Sequence, residues 1–382
     1  MKLTIKLKLF PTEEQKTMLL ATMREANACC NYLSANAWAN KSFKQYDIHH
    51  KCYYDACANH NLSSQMVVRC ISKTADAYKL DKKTKRVFRP LGSVAYDARL
   101  LSYKDNAVSL WALKGEKGGR IKIPFFCFRP EYIPFFKGEA DLYHSKGKFF
   151  LLQTVDIPEQ NAEKTQEFLG CDFGLKDIVY MSDNTHVSAD EIKRVKSKYA
   201  KVRKRVQSKG TRSCKRLLKR LSGREMRFTT ITNHTISKQI VAKAKAEHKG
   251  ISIENLEHIR NGARKKQSDA KSGEPKPRKS KTVRSMINSW SFYQLRSFLA
   301  YKAKIAGVLL VVVNPAYTSQ TCSCCGERGI RRGKRFRCPN CGNVMDADYN
   351  AARNIAARGG AVNHLEGNVF HEMSLKAAKS LA

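Results

Sequence analysis

Between Thr318 and Arg358 the chain reads TSQTCSCCGERGIRRGKRFRCPNCGNVMDADYNAARNIAAR. Two Cys-x-x-Cys pairs, Cys322 with Cys325 and Cys338 with Cys341, stand with twelve residues between them. That is the spacing of a closed structural site for one Zn²⁺, in which each pair turns back on itself and presents two thiolates to a tetrahedral ion. Gly326 and Gly342 directly follow the second cysteine of each pair, where a residue without Cβ lets the turn close. Immediately after this knuckle come two acids, Asp346 and Asp348, at the mouth of a helical pattern.

The rest of the chain is heavily basic. Its 382 residues carry 71 Lys and Arg against 33 Asp and Glu, a formal net charge of +38. A folded chain so charged repels itself unless phosphates or counterions offset the field, which points to a nucleic-acid partner. No apolar run approaches the ~18 residues that a membrane span needs, so no membrane partner is expected. The opening MKLTIKLKLF alternates Leu3, Ile5, Leu7 and Leu9 with lysines and reads as a strand with one buried face, not as a signal peptide. Of thirteen cysteines only five lie in the zinc stretch. The other eight, Cys29, Cys30, Cys52, Cys57, Cys70, Cys127, Cys171 and Cys214, show no framework spacing, which predicts a reducing cytosol or nucleus.

Pro11 ends the first strand, and Thr12-x-x-Gln15 forms a capping box for a long helix whose apolar positions are Leu19, Met23, Ala26, Cys30, Leu33 and Ala37. Ser64 to Leu80 repeats the pattern with Val67, Ile71, Ala75 and Tyr78, so 13–89 is expected to be a helical layer. From 90 to 160 short β-type runs alternate with turns, including a hairpin closed by Ser145-Lys146-Gly147-Lys148. The first strand is expected in the same sheet, leaving the helices as an insertion. FLGCDFGLKDIVYMS then predicts a second hairpin about Gly174, and 193–227 carry 16 Lys and Arg against the single acid Glu225. Ile192, Val195, Tyr199, Val202 and Val206 stripe that basic run, which breaks at Ser208 to Thr211 into two helices. Phosphate contact is the expected use of its charge. A short strand, Gly250 to Glu254, precedes a polar Lys- and Ser-rich stretch expected to be a mobile basic loop (258–285). SWSFYQLRSFLAYKAKIAG is an amphipathic helix, and the unbroken apolar run Val308 to Val313 predicts a fully buried central strand.

Three acids stand out by position. Asp172 and Glu254 end apolar strands, and Asp348 opens the helix of DADYNAARN. A carboxylate beside buried strand residues carries a large desolvation cost unless it is paired or holds a metal, and an all-oxygen set suits Mg²⁺. Taken singly, Glu254 also reads as a surface strand-end acid, and Asp346 and Asp348 as acids favoured by a helix dipole. Asp172-Phe173-Gly174 spells a kinase tripeptide, but no Gly-rich phosphate loop or kinase catalytic loop accompanies it.

Taken together, LFPTEEQ, CDFGLKD, the basic helices before SIENL, SWSFYQLRSFLAYKAKIAG, TSQTCSCCG, CPNCG and DADYNAARNIA resemble the TnpB family. These are RNA-guided endonucleases encoded by insertion sequences and related to type V CRISPR effectors and Fanzor proteins. The resemblance implies a multidomain fold, α/β and β plus α. A ribonuclease H-like (RuvC) nuclease domain at 161–320 and 346–362 would carry a basic helical insertion at 190–245 and a four-Cys zinc ribbon at 321–345. A β-barrel-like wedge module at 1–12 and 90–160 would carry the helical recognition domain, and 363–382 would be a tail. It implies Asp172, Glu254 and Asp348 as catalytic acids for two Mg²⁺, Cys322, Cys325, Cys338 and Cys341 as zinc ligands, and Asp346 as a helix-entry residue, with Cys324 an extra thiol. Guide RNA and target DNA are the implied partners of a monomer that cuts beside a short flanking motif, in a prokaryotic cytoplasm or, in a eukaryotic or viral setting, a nucleus. A nuclease-silent RNA-guided regulator, a type V CRISPR-like effector and a transposase remain alternatives. Cys171 stands where relatives carry an apolar residue and is expected to pack as a small hydrophobe.

Overall fold

The computed structural model describes residues 1–114, 117–163, 165–256 and 291–365. The stretch read as a mobile basic loop (258–285) and the tail beyond 365 lie outside them. The chain divides into two compact units, Met1–Pro158 and the remainder from Glu159. Among the described residues no helix is long and apolar enough to cross a membrane.

In the first unit, strand β1 (Lys2–Leu9) buries Leu7 and Leu9 and leaves its lysines outward. Three helices follow: α1 (Glu13–Ala39), α2 (Gln45–Asn59) and α3 (Ser64–Leu80). Thr12 and Gln15 form the capping box at the start of α1, each side chain satisfying a backbone amide that the helix leaves open. All six apolar positions of α1 named above are buried, as are the four of α3. Helix α2 went unread in the sequence because it buries only Ile48, Cys52 and Ala56, one small stripe in a polar segment. Strands β2 (Val94–Tyr96), β3 (Leu101–Lys104), β4 (Ala107–Lys114), β5 (Lys117–Cys127), β6 (Phe136–Ser145) and β7 (Lys148–Asp156) complete an antiparallel sheet ordered β2-β6-β7-β1-β5-β4-β3. β1 lies between β7 and β5, so the three helices interrupt the sequence of this sheet. The β6–β7 turn places Lys146 and Gly147 at φ 54° and 74°, the paired left-handed conformation of a tight hairpin.

The second unit is built on strands β8 (Phe168–Asp172), β9 (Asp177–Met181), β10 (His186–Ser188), β11 (Gly250–Glu254) and β12 (Leu310–Val313), ordered β10-β9-β8-β11-β12. The first three pair antiparallel, while β11 runs parallel to both β8 and β12. Two basic helices, α4 (Asp190–Lys209) and α5 (Arg212–Ala246), separate β10 from β11 and are broken at Gly210, which has φ 64°. In the α4 stripe Ile192 and Val206 are buried and Val195, Tyr199 and Val202 half-buried, while Glu225 of α5 pairs with Arg203 of α4. Helix α6 (Phe292–Ala306) packs with the later turns of α5 over Leu169, Cys171, Ile251 and Ile253. The other face carries helix α7 (Ala347–Leu365), whose Ile355 packs on Phe168, Val311 and Val313. Cys171, wholly buried in the first of these clusters, packs as the small hydrophobe expected of it.

One expectation is corrected here. Among the described residues β12 is an edge strand, not a central one, since β11 alone pairs with it. Its unbroken apolar run reflects coverage of both faces, α6 and its neighbours on one and α7 on the other, and side-chain burial does not report a strand's place in the order.

Candidate functional site

Strand alternation aims the acids. Along β8 the odd residues Leu169 and Cys171 face the α5 and α6 cluster, so Gly170 and Asp172 face α7. Along β11, Ile251 and Ile253 face that same cluster, while Ser252 donates from Oγ to the Ile355 carbonyl of α7 at 2.8 Å. Glu254 follows Ser252 on that face. Register pairs Ile253 with Cys171, so Asp172 and Glu254 stand level at the carboxyl ends of neighbouring parallel strands, with Asp348 in the first turn of the helix above them.

The close approach of α7 depends on missing side chains. A Cβ at position 170 would lie 2.0 Å from the Ala352 carbonyl oxygen and 2.5 Å from the Ala356 nitrogen, so only glycine fits. Asp346 supplies the helix entry: its Oδ1 accepts from the amides of Asp348 at 2.8 Å and Tyr349 at 3.3 Å. One oxygen of its carboxylate thus caps the helix, and both Asp346 and Asp348 act on Asp172 through their charge.

The electrostatics of the three acids are coupled. Burial, reinforced by Glu254 and Asp348, pushes the Asp172 carboxyl up from 3.8 to about 8, against the opposing pull of Arg331. Burial likewise raises Glu254, which is 9% exposed, and this is opposed by a hydrogen bond from Thr318 and by Arg358 and Arg331. Thr318 Oγ1 donates to Glu254 Oε1 at 2.5 Å, and Arg331 donates to Asp348 Oδ1 at 2.8 Å. Among the described residues, the only three or more metal-ligating side chains with donor atoms all within 4.8 Å of one another are the four thiols. The three carboxylates are therefore neighbours at longer range, with the Arg331 guanidinium beside them.

Cys322, Cys325, Cys338 and Cys341 form the cluster that the spacing predicts. Cys322 and Cys341 sulfurs lie 3.6 Å apart and those of Cys325 and Cys338 3.5 Å, close to the ~3.8 Å edge of a tetrahedron with ~2.3 Å zinc–sulfur bonds. Burial pushes the Cys322 thiol up, but the amides of Cys325 and Cys324, with Cys341 and Asn343, outweigh it and bring it to about 6. That favours a thiolate, the form that binds metal. Cys324 is exposed and accepts from Asn343 instead. The knuckle continues into a three-stranded sheet, β13 (Ile330–Arg332), β14 (Arg335–Arg337) and β15 (Val344–Asp346), closed around buried Phe336.

Two asparagines that sequence reasoning passed over fasten this module to α7. Asn350 donates to the Thr321 carbonyl at 2.7 Å and accepts from the Ser323 amide at 2.9 Å. Asn354 donates to the carbonyls of Thr318 and Thr321 at 2.8 and 2.7 Å. Their spacing of four on one helix was the available signal, as was Thr318 at the head of the zinc stretch.

Residues 292–355 match the family described as Cas12f1-like, TNB domain. The chain is 28% identical to the TnpB-like protein MJ0751 of Methanocaldococcus jannaschii over 279 residues, 72% of this chain and 89% of that one. It is 29% identical to the putative RNA-guided DNA endonuclease InsQ of Escherichia coli, over 57% of this chain and 56% of that protein. It is also 38% identical to the CRISPR-associated endodeoxyribonuclease Cas12f1 of Sulfoacidibacillus thermotolerans, over 34% of this chain and 27% of that one. Among solved structures, Cas12f1 in a complex with sgRNA and target DNA shares the fold, with a TM-score of 0.63 at 14% identity over 90% of this chain and 83% of that one. With a zinc-type thiol cluster docked on the helix that carries the third acid, the chain is similar to TnpB-like proteins along most of its length and shares the fold of Cas12f1.

Proposed function

We propose that the chain is an RNA-guided DNA endonuclease of a transposable element, cutting target DNA beside a short flanking motif by metal-assisted phosphodiester hydrolysis. What supports this reading most is the placement of Asp172 and Glu254 level at neighbouring strand ends beneath the helix that opens with Asp348, where burial, reinforced by the charges of Glu254 and Asp348, raises the Asp172 carboxyl to about 8. A buried carboxyl raised by desolvation and flanked by two further acids fits a site for divalent cations, and Mg²⁺ is the ion such donors suit. When bound, a Mg²⁺ pair supplies the charge that activates an attacking water and stabilises the leaving oxygen. The chain's own part is to hold the three acids in register. Thr318 orients Glu254, Asp346 caps the helix of Asp348, and Gly170 lets that helix approach.

The strand order, first three antiparallel and the next two parallel, supports the ribonuclease H-like (RuvC) reading of 161–320 and 346–362. The four-thiol set fits one structural Zn²⁺ in 321–345. On this reading the antiparallel sheet formed by residues 1–12 and 90–160 is the wedge module, its inserted helices at 13–89 form the recognition domain, and α4 and α5 supply cations for phosphates. The names of the relatives support guide RNA and target DNA as partners. We propose a monomer that acts in a prokaryotic cytoplasm or, in a eukaryotic or viral setting, a nucleus.

Sequencing the RNA that copurifies with the protein, then offering that complex a target library with randomised flanks, tests the proposal. Mg²⁺-dependent cutting of matched targets is expected, lost in Asp172→Ala, Glu254→Ala and Asp348→Ala with target binding retained. Binding without cutting at any divalent metal would instead make the protein a regulator. Cutting that survives removal of the RNA would sink the guided reading.

A further inference from the structure

The tip of the β13–β14 hairpin makes contacts that neither zinc binding nor hairpin folding requires. Lys334 Nζ donates to Asp177 Oδ2 at 2.5 Å, and Asp177 is the first residue of β9 and only 7% exposed. The backbone carbonyl of the same Lys334 accepts from the Ala347 amide at 2.7 Å, one residue before Asp348. The next hairpin residue, Arg335, pairs in register with Asp346, whose carboxylate caps the Asp348 amide. On the other side, Asp177 is tied to Asp172 by a tight turn in which a Cβ on Gly174 would lie 2.8 Å from the Asp177 carbonyl. These links make an unbroken chain from Asp172 through Gly174, Asp177, Lys334 and Ala347 to Asp348.

We propose that Lys334 and Asp177 are positioning residues for the metal centre, a clamp through which the zinc hairpin fixes the helix-borne acid Asp348 against the strand-end acid Asp172. This rests on the endonuclease reading given above. An exposed ion pair would do little, but Asp177 is desolvated, so removing Lys334 leaves a buried carboxylate without its partner. The Lys334 ammonium is raised first by its bond to Asp177 and further by Asp346 and Asp348, so it sits in the field of the helix entry as well as of β9. Groups that orient metal-binding side chains typically cost about 10- to 100-fold in metal affinity or activity when removed.

The test uses the full chain, zinc-loaded and stripped of nucleic acid, with Mn²⁺ as a paramagnetic probe titrated by electron spin resonance, and amide exchange read over 344–352. Lys334→Met and Asp177→Asn are each expected to weaken Mn²⁺ binding about tenfold or more and to speed exchange at Ala347 and Asp348. The double variant is expected to be no worse than the weaker single, since both remove one clamp, and Lys334→Arg to stay near wild type. In the RNA complex the same variants are expected to need more Mg²⁺ for half-maximal cutting, with target affinity unchanged. Wild-type Mn²⁺ affinity in both single variants, or losses that simply add in the double, overturns the proposal. Should Lys334→Met lose its zinc, Asp177→Asn, which lies outside the hairpin, decides alone by the same measure. A wild-type chain that binds Mn²⁺ at these acids yet cuts nothing sinks the endonuclease reading and leaves the clamp standing.

Discussion

Asn350 offers the sharpest single perturbation of the zinc module. Its side chain is wholly buried, and it holds the residues on either side of Cys322: Thr321 through its carbonyl and Ser323 through its amide. Cys322 is itself 1% exposed, so a zinc ion held as proposed would be freed from that ligand only once the knuckle undocks from α7. Asn350→Ala removes both bonds, worth about 1 kcal/mol each, and leaves a buried amide bare, which brings the loss to roughly 2–4 kcal/mol. At about 1.4 kcal/mol per tenfold, even the lower figure predicts zinc release about 30 times faster. Asn354→Ala is expected to act similarly, but the two are coupled because both donate to the Thr321 carbonyl. Either substitution leaves that oxygen one partner, and the pair leaves it none. The double variant is therefore expected to lose about 1 kcal/mol more than the sum of the singles. Stopped-flow mixing with a chromogenic zinc chelator measures all four proteins. Release from Asn350→Ala at the wild-type rate, or a double variant that equals the sum, would refute the claim that these asparagines hold the knuckle to the helix.

Further outcomes follow from the acid cluster and the charge. Between about pH 4 and pH 8 the folded chain keeps on Asp172 a proton that the unfolded chain has released, so magnesium-free protein is expected to lose stability across that window and to level off above it, as thermal unfolding will show. Cation binding must displace that proton, so apparent Mg²⁺ affinity is expected to climb towards about pH 8, and a flat profile would contradict the burial argument. Gly170→Ala drives a methyl into the α7 backbone and is expected to cut cleavage by about 100-fold, as for a displacement of order 1 Å at a reacting centre, with target binding unchanged in a filter assay. On duplex DNA, log K is expected to fall by about 0.9 per phosphate contact per decade of salt, and replacing Lys and Arg in α4 should shallow that slope.

Much of this was legible in the chain. The Cys spacing fixed the thiol cluster because a tetrahedral site demands little beyond two turns of set length, and the period-two and period-four patterns fixed β1, α1 and α3. The choice of Asp348 over Asp346 rests on family likeness, and the structure adds that Asp346 caps the helix through one oxygen. The rest concerned relations between distant residues. Nothing local tells Thr318 that it will meet Glu254, or Lys334 that it will meet Asp177, 157 positions earlier. The apolar run before Asn314 announced burial on two faces but carried no information on strand order, which pairing with β11 alone decides.

The three acids come from residues 172, 254 and 348, and the sheet joins the first two by a parallel pairing across an intervening pair of helices. Such a pairing closes a long loop before any contact rewards it, and a chain emerging from the ribosome meets its late segments last. During synthesis, therefore, Asp172 and Glu254 can be assembled while the helix that carries Asp348, and the knuckle that seats it, have yet to appear. On the endonuclease reading proposed above, cutting competence arrives in one late step, once the helix that carries Asp348 has been made. On that reading a nascent chain holds its basic helices before it holds a complete set of acids.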